Sequence, residues 1–431
     1  MLADPDLSVC VLGLGYIGLP TAAVIARTGA RVLGVDVSET VVETVNSGRI
    51  HIEEVDLDAL VSGVVARGLL SASTQIAPAE VFVIAVPTPF ADDHRPDIGY
   101  VLRAATAIAT VLKAGDTVIL ESTSPVGATE QVRDLLAALR PDLRLPGLGR
   151  EADVAIAYCP ERVLPGRILH ELIANDRVIG GLTPRCGRKA LAFYRRFVRG
   201  ACVTTTARAA EMTKLAENAY RDVNIAFANE LSLVADRLGV DVWEVIRLAN
   251  RHPRVGILQP GPGVGGHCIA VDPWFLVAAA PDDTPLIRAA REVNDGKVTH
   301  VVEQASRLIE AYPGAPVACL GLAFKANIDD FRESPALAVA AALARRFGPR
   351  VAVVEPYAAR LPTAFDGTGA RLIDLDAALA RCPVMVVLVD HDLFRSVPAE
   401  ERAGKAVLDT RGIWPDQPRP QPAAAALRLA G

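Results

Sequence analysis

One cysteine closes a glycine-rich run. The segment reads Gln259-Pro260-Gly261-Pro262-Gly263-Val264-Gly265-Gly266-His267-Cys268-Ile269-Ala270-Val271-Asp272-Pro273-Trp274-Phe275. A loop this poor in side chains lets backbone and thiol approach a ligand closely. Asp272-Pro273 predicts a helix start, with Asp272 at N-cap and Pro273 at N1. Cys268 then lies next to a helix N-terminus, where a thiolate is favoured. A nucleophilic thiol needs partners for developing oxyanions. Lys214 and Asn218 stand four apart in a helical pattern and so share a face, where an ammonium and an amide can hold an alkoxide and then a thiohemiacetal oxygen. By itself such a pair is more often a solvated face. Glu161 after Pro160, and Asp272 four residues past Cys268, are the carboxylates placed to position or activate water. His267 reads as a packing or loop-anchoring histidine.

A second cluster opens the chain. Gly13-Leu14-Gly15-Tyr16-Ile17-Gly18 follows an apolar strand and begins a helix. The first glycine makes the turn, the second admits a pyrophosphate, and the third packs helix on strand. Phosphates then sit at an electropositive helix N-terminus. Asp36 ends the next strand, where a carboxylate accepts ribose hydroxyls and repels a 2′-phosphate, so the expected cofactor is NAD rather than NADP. A nucleotide-binding dehydrogenase with a presented cysteine suggests oxidation through a covalent thioester.

The elements that must carry these groups are legible. Residues 8 to 12 and 31 to 36 read as strands around a helix from about 16 to 29. Val81–Val86 and Thr117–Leu120 are further short apolar strands, and the pattern predicts a parallel α/β sheet with helices on both faces. Thr88 and Glu121-Ser122-Thr123 fall at strand ends, where such sheets bind ligands. From Thr206 to Gly239 there is no proline, and Met212, Leu215, Ala219, Val223, Phe227, Leu231, Val234 and Leu238 recur at helical spacing. This predicts one long helix or two joined ones, serving as domain connector and dimer seam or simply as core. Alternation resumes near Pro316 with apolar strands at 317–322, 351–354 and 384–389. This second α/β domain loosely repeats the first without its glycine fingerprint. The tail from Pro415 is rich in proline and alanine.

The 431 residues are 51% apolar and 22% charged, with a net charge of -5, which excludes a basic field for nucleic acid or anionic lipid. No apolar run suffices for a bilayer span, and no signal peptide is apparent. The seven cysteines (Cys10, Cys159, Cys186, Cys202, Cys268, Cys319 and Cys382) are odd in number and lack C-x-x-C spacing. That argues against a disulfide framework or a zinc site and for reduced thiols in a cytoplasmic protein. Cys10 and Cys319 read as core.

Taken together, these residues resemble the UDP-glucose/GDP-mannose (nucleotide-sugar) dehydrogenase family over nearly the whole chain, from Val9 to Trp414. The likeness rests on Gly13-x-Gly15-x-x-Gly18, Val86-Pro87-Thr88-Pro89, Glu121-Ser122-Thr123, Glu211-Met212-x-Lys214-x-x-x-Asn218, Asn229-Glu230, the Cys268 loop, Gly321-Leu322-Ala323-Phe324-Lys325 and Asp330-x-Arg332-Glu333-Ser334-Pro335. It implies two Rossmann-like doubly wound domains joined by a long central helix: an NAD domain over 1–204, a helical dimerisation region with the cysteine loop over 205–312, and a UDP-sugar-binding α/β domain over 313–431. It implies that a sugar 6-hydroxymethyl group is oxidised twice by NAD, with Cys268 as nucleophile. Lys214 and Asn218 would hold the oxyanion, and Asp272, Glu161 and Thr123 would organise water and the reacting centre. Gly13, Gly15, Tyr16, Ile17, Gly18, Asp36, Thr88, Thr123 and Arg332 would contact the cofactor. Glu161, Arg162, Lys214, Asn218, Gly265 and Lys325 would contact the sugar nucleotide, with Arg254 reaching the substrate of a neighbouring subunit. The implied assembly is a homodimer without metal, membrane or nucleic acid.

Departures from the usual UDP-glucose enzymes are His267 for a serine, Val271 for a lysine, and Pro165 for a second, water-handling glutamate. The forms at 160–166 and 265–269 are similar to the 2-acetamido-sugar branch, and 270–275 points within it to UDP-N-acetyl-D-mannosamine. UDP-N-acetyl-D-glucosamine and UDP-glucose remain alternative substrates. Single-step β-hydroxyacid dehydrogenases share the N-terminal domain and Lys/Asn pair but do not need Cys268. A non-catalytic nucleotide-sugar sensor would not need a nucleophile.

Overall fold

The computed structural model describes every residue except 1–5, 53, 91–94, 148–150, 165, 267 and 416–431. His267, Pro165 and the tail beyond Pro415 therefore lie outside the described residues. The chain forms two compact units, one of residues up to Glu217 with Trp274–Ala280, the other of Asn218–Pro273 with residues from Pro281 onward.

The first unit holds an eight-stranded sheet. Its strands are β1 (Ser8–Leu12), β2 (Arg31–Val35), β3 (Leu70–Ser73), β4 (Val81–Ile84), β5 (Thr117–Leu120), β6 (Ala155–Tyr158), β7 (Arg177–Gly181) and β8 (Cys202–Thr206). The order is β3-β2-β1-β4-β5-β6-β7-β8. Side chains alternate between faces along each strand. Val9 and Val11 pack with Ala22, Ala23 and Ala26 of the helix Gly18–Arg27. Cys10 and Leu12 pack on the other face with Val101, Ala105 and Ile108. Burial on both faces is why these strands read as unbroken apolar runs.

Two strands depart from the parallel expectation, since β8 runs parallel to a reversed β7. β7 runs antiparallel to β6, with Ala157 opposite Gly181 and Tyr158 opposite Gly180. A loop and the short helix Ile168–Ala174 reverse the chain between them. Continuing that register sets residue 161 across from residue 177. The reversed strand thus brings its first residue to the end of the sheet where parallel strands finish.

The second unit repeats the central arrangement with β9 (Val317–Leu320), β10 (Val351–Val354), β11 (Arg371–Leu372), β12 (Val384–Val387) and β13 (Ala406–Asp409), ordered β11-β10-β9-β12-β13 and parallel throughout. Its first turn matches that of the first sheet. Gly13 donates its N–H to Val35 at 2.8 Å, and Gly321 donates to Val354 at 2.8 Å. Asp36 accepts from the N–H of Leu14 at 2.9 Å, and Glu355 from that of Leu322 at 2.6 Å.

A single helix, Ala207–Leu238, continues directly from β8 and ends where Gly239 turns with φ 68°. Its apolar stripe is split. Leu215 and Ala219 are buried, whereas Tyr220, Phe227, Val234 and Leu238 are 70%, 57%, 47% and 69% exposed in the single chain.

Candidate active site

The cofactor turn has the geometry its glycines predict. Gly13 sits at φ 91°, and a Cβ there would fall 2.6 Å from the Ala85 carbonyl oxygen. A Cβ on Gly18 would fall 1.8 Å from the Gly13 oxygen, so the helix start can lie against the strand only without a side chain. Gly15 faces open space, which leaves room for a pyrophosphate. Tyr16 and Ile17 complete the turn, with Ile17 at the N-cap position. The N–H groups of Leu14 and Ser38, at 2.9 and 3.0 Å, fix the Asp36 carboxylate at the end of β2. Thr88 and Thr123, from neighbouring strand ends, are joined by the Thr88 hydroxyl donating to the Thr123 carbonyl at 2.6 Å.

A buried charged cluster lies beside this edge. Arg177, 1% exposed, donates from Nη1 to Glu161 Oε2 at 2.7 Å, and its guanidinium lies 5.5 Å from the Tyr194 ring centre. The Tyr194 hydroxyl donates to Glu121 Oε1 at 2.8 Å. Burial pushes Glu121 up to about 7, and Glu161 adds to that while Arg177 opposes it. Burial works against the Arg177 charge, but Glu161, together with Cys159, Glu121 and Tyr194, more than offsets it and holds the guanidinium protonated. Glu161 is also fixed by the Arg162 N–H on Oε1 at 2.6 Å. Arg162 itself grips Glu217 of the long helix at 2.6 Å. Glu211 of that helix accepts from the N–H groups of Gly127 and Thr129 at 2.6 and 2.8 Å, capping the helix Ala128–Leu139. Lys214, one turn before Asn218, is 8% exposed.

In the second unit, Cys268 stands in the turn before the helix Asp272–Ala279, its carbonyl accepting from the N–H of Asp272 at 2.8 Å. The helix begins at Asp272 itself, so Pro273 is its second residue. The Asp272 carboxylate accepts from the Asn218 amide at 2.5 Å, with both residues buried. The loop and the helix N-terminus therefore bring together Cys268, Asp272 and Asn218. Of the seven cysteines only Cys268 is exposed, while Cys10 and Cys319 are core. Gly265 and Gly266 lie against the segment that carries Lys325 and Arg332. Lys325 shares a cleft with Pro262, Phe324, Asp390 and Arg411. Arg332 is bridged to Asp330 through two hydrogen bonds at 2.8 and 2.5 Å. Arg254 is exposed in the single chain.

Arg177 escapes sequence reasoning. Within Asn175-Asp176-Arg177-Val178 a cation reads as surface charge, and its partner lies 16 residues away. A lone arginine opening an apolar strand was the available signal.

The glycine turn, closed by the Asp36 carboxylate at the end of β2, has the geometry of a dinucleotide-binding dehydrogenase domain. The comparisons agree. The chain matches the UDP-glucose/GDP-mannose dehydrogenase family's NAD binding domain over residues 7–198, its central domain over 208–296 and its UDP binding domain over 318–416. It is 56% identical to a UDP-N-acetyl-D-mannosamine dehydrogenase of Salmonella typhi, over 94% of this chain and 99% of that one. It is 55% identical to an NDP-N-acetyl-D-galactosaminuronic acid dehydrogenase of Ralstonia nicotianae, over 94% and 96%. The structure of a UDP-D-ManNAc dehydrogenase from Pyrococcus horikoshii superposes with a TM-score of 0.84 at 39% identity, covering 94% of this chain and 96% of that one. The chain belongs to the UDP-glucose/GDP-mannose dehydrogenase family. It is an NAD-dependent nucleotide-sugar dehydrogenase, and among the described residues no helix is long and apolar enough to cross a membrane.

Proposed function

We propose that this chain oxidises the 6-hydroxymethyl group of UDP-N-acetyl-D-mannosamine to the carboxylate, through a thioester on Cys268. The observation that carries this reading is the exposure of Cys268, alone among seven cysteines, beside the Asn218–Asp272 pair. NAD supplies the hydride acceptor. C6 loses a hydride and its hydroxyl a proton. The Cys268 thiolate then adds to the aldehyde, and the thiohemiacetal loses a second hydride. Water cleaves the thioester to carboxylate and thiol. The balance is one alcohol, two NAD and one water giving one carboxylate, two NADH and three protons. Asn218 and Lys214 stabilise the oxyanions, and Asp272 and Glu161 hold the water. With proline at 165, Glu161, anchored by Arg177, is the carboxylate of its loop available for this task.

The manno configuration is supported by the Salmonella and Pyrococcus proteins. The Ralstonia relative stands equally near, so the sugar panel must include UDP-N-acetyl-D-galactosamine. With limiting sugar and excess NAD, we expect two NADH per sugar and a uronate product by mass spectrometry, fastest with UDP-N-acetyl-D-mannosamine. One NADH per sugar with released aldehyde overturns the four-electron route. A faster turnover of another UDP-sugar overturns the substrate.

The three-part division at about 204 and 312, and the roles of the remaining site residues, belong to the same proposal. So does a cytoplasmic setting, on the strength of the reduced, mostly buried thiols. We also place the chain in a homodimer. Tyr220, Phe227 and Val234 recur every seven residues and expose apolar surface along one face of the long helix. Arg254 would serve the partner's site. Sedimentation equilibrium should give twice the 45.6 kDa chain mass, and Phe227→Asp should yield inactive single chains. A wild-type mass of one chain refutes the dimer.

A further inference from the structure

The Rossmann-like turn of the second unit has acquired a different use, centred on a histidine that the chemistry above leaves idle. Glu355, at the end of β10, occupies the place that Asp36 holds after β2. Its Oε2 accepts from the N–H groups of Leu322 and Ala323 at 2.6 and 3.2 Å, and Oε1 from Tyr357 at 3.0 Å. Against Oε2 lies Nε2 of His391, at 3.3 Å. Both side chains are wholly buried. Burial works against ionisation of Glu355, but the hydrogen bonds from His391 and Leu322 more than offset it and hold the carboxyl below its usual range. On the far side of the ring, Nδ1 accepts from the backbone N–H of Asn327 at 2.9 Å. A backbone N–H can only donate, so the ring proton sits on Nε2 and points at Glu355.

Asn327 is the joint of the loop. It has left-handed geometry, φ 61°, and its side chain pairs with Asp392 in both directions, at 2.8 and 3.0 Å. Three residues earlier, Phe324 lies against the glycine run. A Cβ on Gly266 would fall 2.9 Å from the Phe324 ring, and one on Gly265 would fall 3.0 Å from Phe324 Cβ and 2.4 Å from the Glu333 carbonyl oxygen. The segment from Phe324 to Pro335 is therefore the bed on which the Cys268 loop rests, and it carries Lys325 as well.

We infer that His391, held by Glu355, is a positioning residue that pins this bed through the Asn327 N–H and so fixes both the Cys268 loop and the nucleotide contacts around Lys325. The inference rests on the assignment of Cys268 as nucleophile and on the UDP binding domain. Its test needs no turnover, so a failure of the proposed sugar chemistry would show separately as absent NADH with wild-type protein.

The full-length His391→Leu variant removes the acceptor, and His391→Asn keeps one in the Nδ1 position. Calorimetric titration with UDP and with NAD, and the rate of Cys268 alkylation by iodoacetamide followed by peptide mass spectrometry, are the readouts. For His391→Leu we expect UDP affinity to fall about tenfold, as for one lost buried hydrogen bond, with NAD affinity unchanged. Alkylation of Cys268 should accelerate severalfold as its loop loosens. His391→Asn should recover most of the UDP affinity and the slow alkylation. A His391→Leu protein with lowered melting temperature but wild-type UDP affinity and alkylation overturns the proposal. If that variant does not fold, His391→Gln decides. Its amide can still donate to Glu355 as Nε2 does but leaves no acceptor in the Nδ1 place for the Asn327 N–H, so UDP should weaken several-fold, whereas unchanged UDP affinity and alkylation overturn the proposal.

Discussion

Cys268→Ala is expected to abolish uronate formation, lowering it by on the order of 10⁴-fold or more, while NAD binds as in the wild type. The reason lies in where the two functions reside. The glycine turn and Asp36 belong to the first compact unit, and the cysteine loop to the second. Removing one sulfur leaves the first untouched. Without the thiol there is no thiohemiacetal, so the enzyme lacks the covalent tetrahedral adduct from which its second hydride leaves. At most one NADH per sugar can appear. Calorimetry with NAD, NADH yield under limiting sugar, and mass spectrometry of the product on one preparation separate these effects. Uronate produced at the wild-type rate would remove Cys268 from the chemistry.

Glu121→Gln should make the protein more stable at pH 8 and leave it unchanged near pH 4.5. Burial lifts the carboxyl from its ordinary 4.5 to about 7. Between those values the folded protein holds a proton that the unfolded chain has released. Stability from this group is thus complete below about 4.5 and is lost as pH rises through 7. Glutamine has no charge to desolvate and still offers an oxygen to the Tyr194 hydroxyl. Denaturant titrations of both proteins at pH 5 and pH 8 test this. A stability difference that does not widen with pH would show that burial at Glu121 costs nothing. Activity should persist, because Arg177 then faces Glu161 alone.

The two predictions differ in how visible their residues were. Cys268 was legible because glycine, cysteine and a helix start follow one another in the chain. The spacing of Lys214 and Asn218 placed them on one helical face, but only the family resemblance offered that face a role. The strands Thr117–Leu120 and Val351–Val354 were legible to the residue, since both faces are covered and turn residues bound them. The Glu121–Arg177–Glu161 cluster was not. It depends on the antiparallel register of β7 on β6, a pairing that no local pattern encodes. β8 was also missed, for Val203-Thr204-Thr205-Thr206 is exposed along an edge and offers no apolar run. The long helix was read correctly in extent, but its stripe was not resolved into buried and exposed faces. Leu215 and Phe227 fit the same periodicity, and only packing tells them apart.

The repeated strand order has a consequence for how the chain reaches this structure. Val81-Phe82-Val83-Ile84 and Val384-Met385-Val386-Val387 are both four-residue, fully buried central strands, each parallel to its neighbours. Nothing in their apolar character says which sheet either should join. Order of synthesis supplies what the side chains do not. β8 ends at Thr206 and β9 begins at Val317, about 110 residues later, which is roughly 5–20 s of elongation. Small domains dominated by non-local pairings close in milliseconds to seconds. The first sheet therefore has a head start before any rival strand leaves the ribosome, and the helices between act as a delay line that separates two nearly interchangeable sets of strands in time.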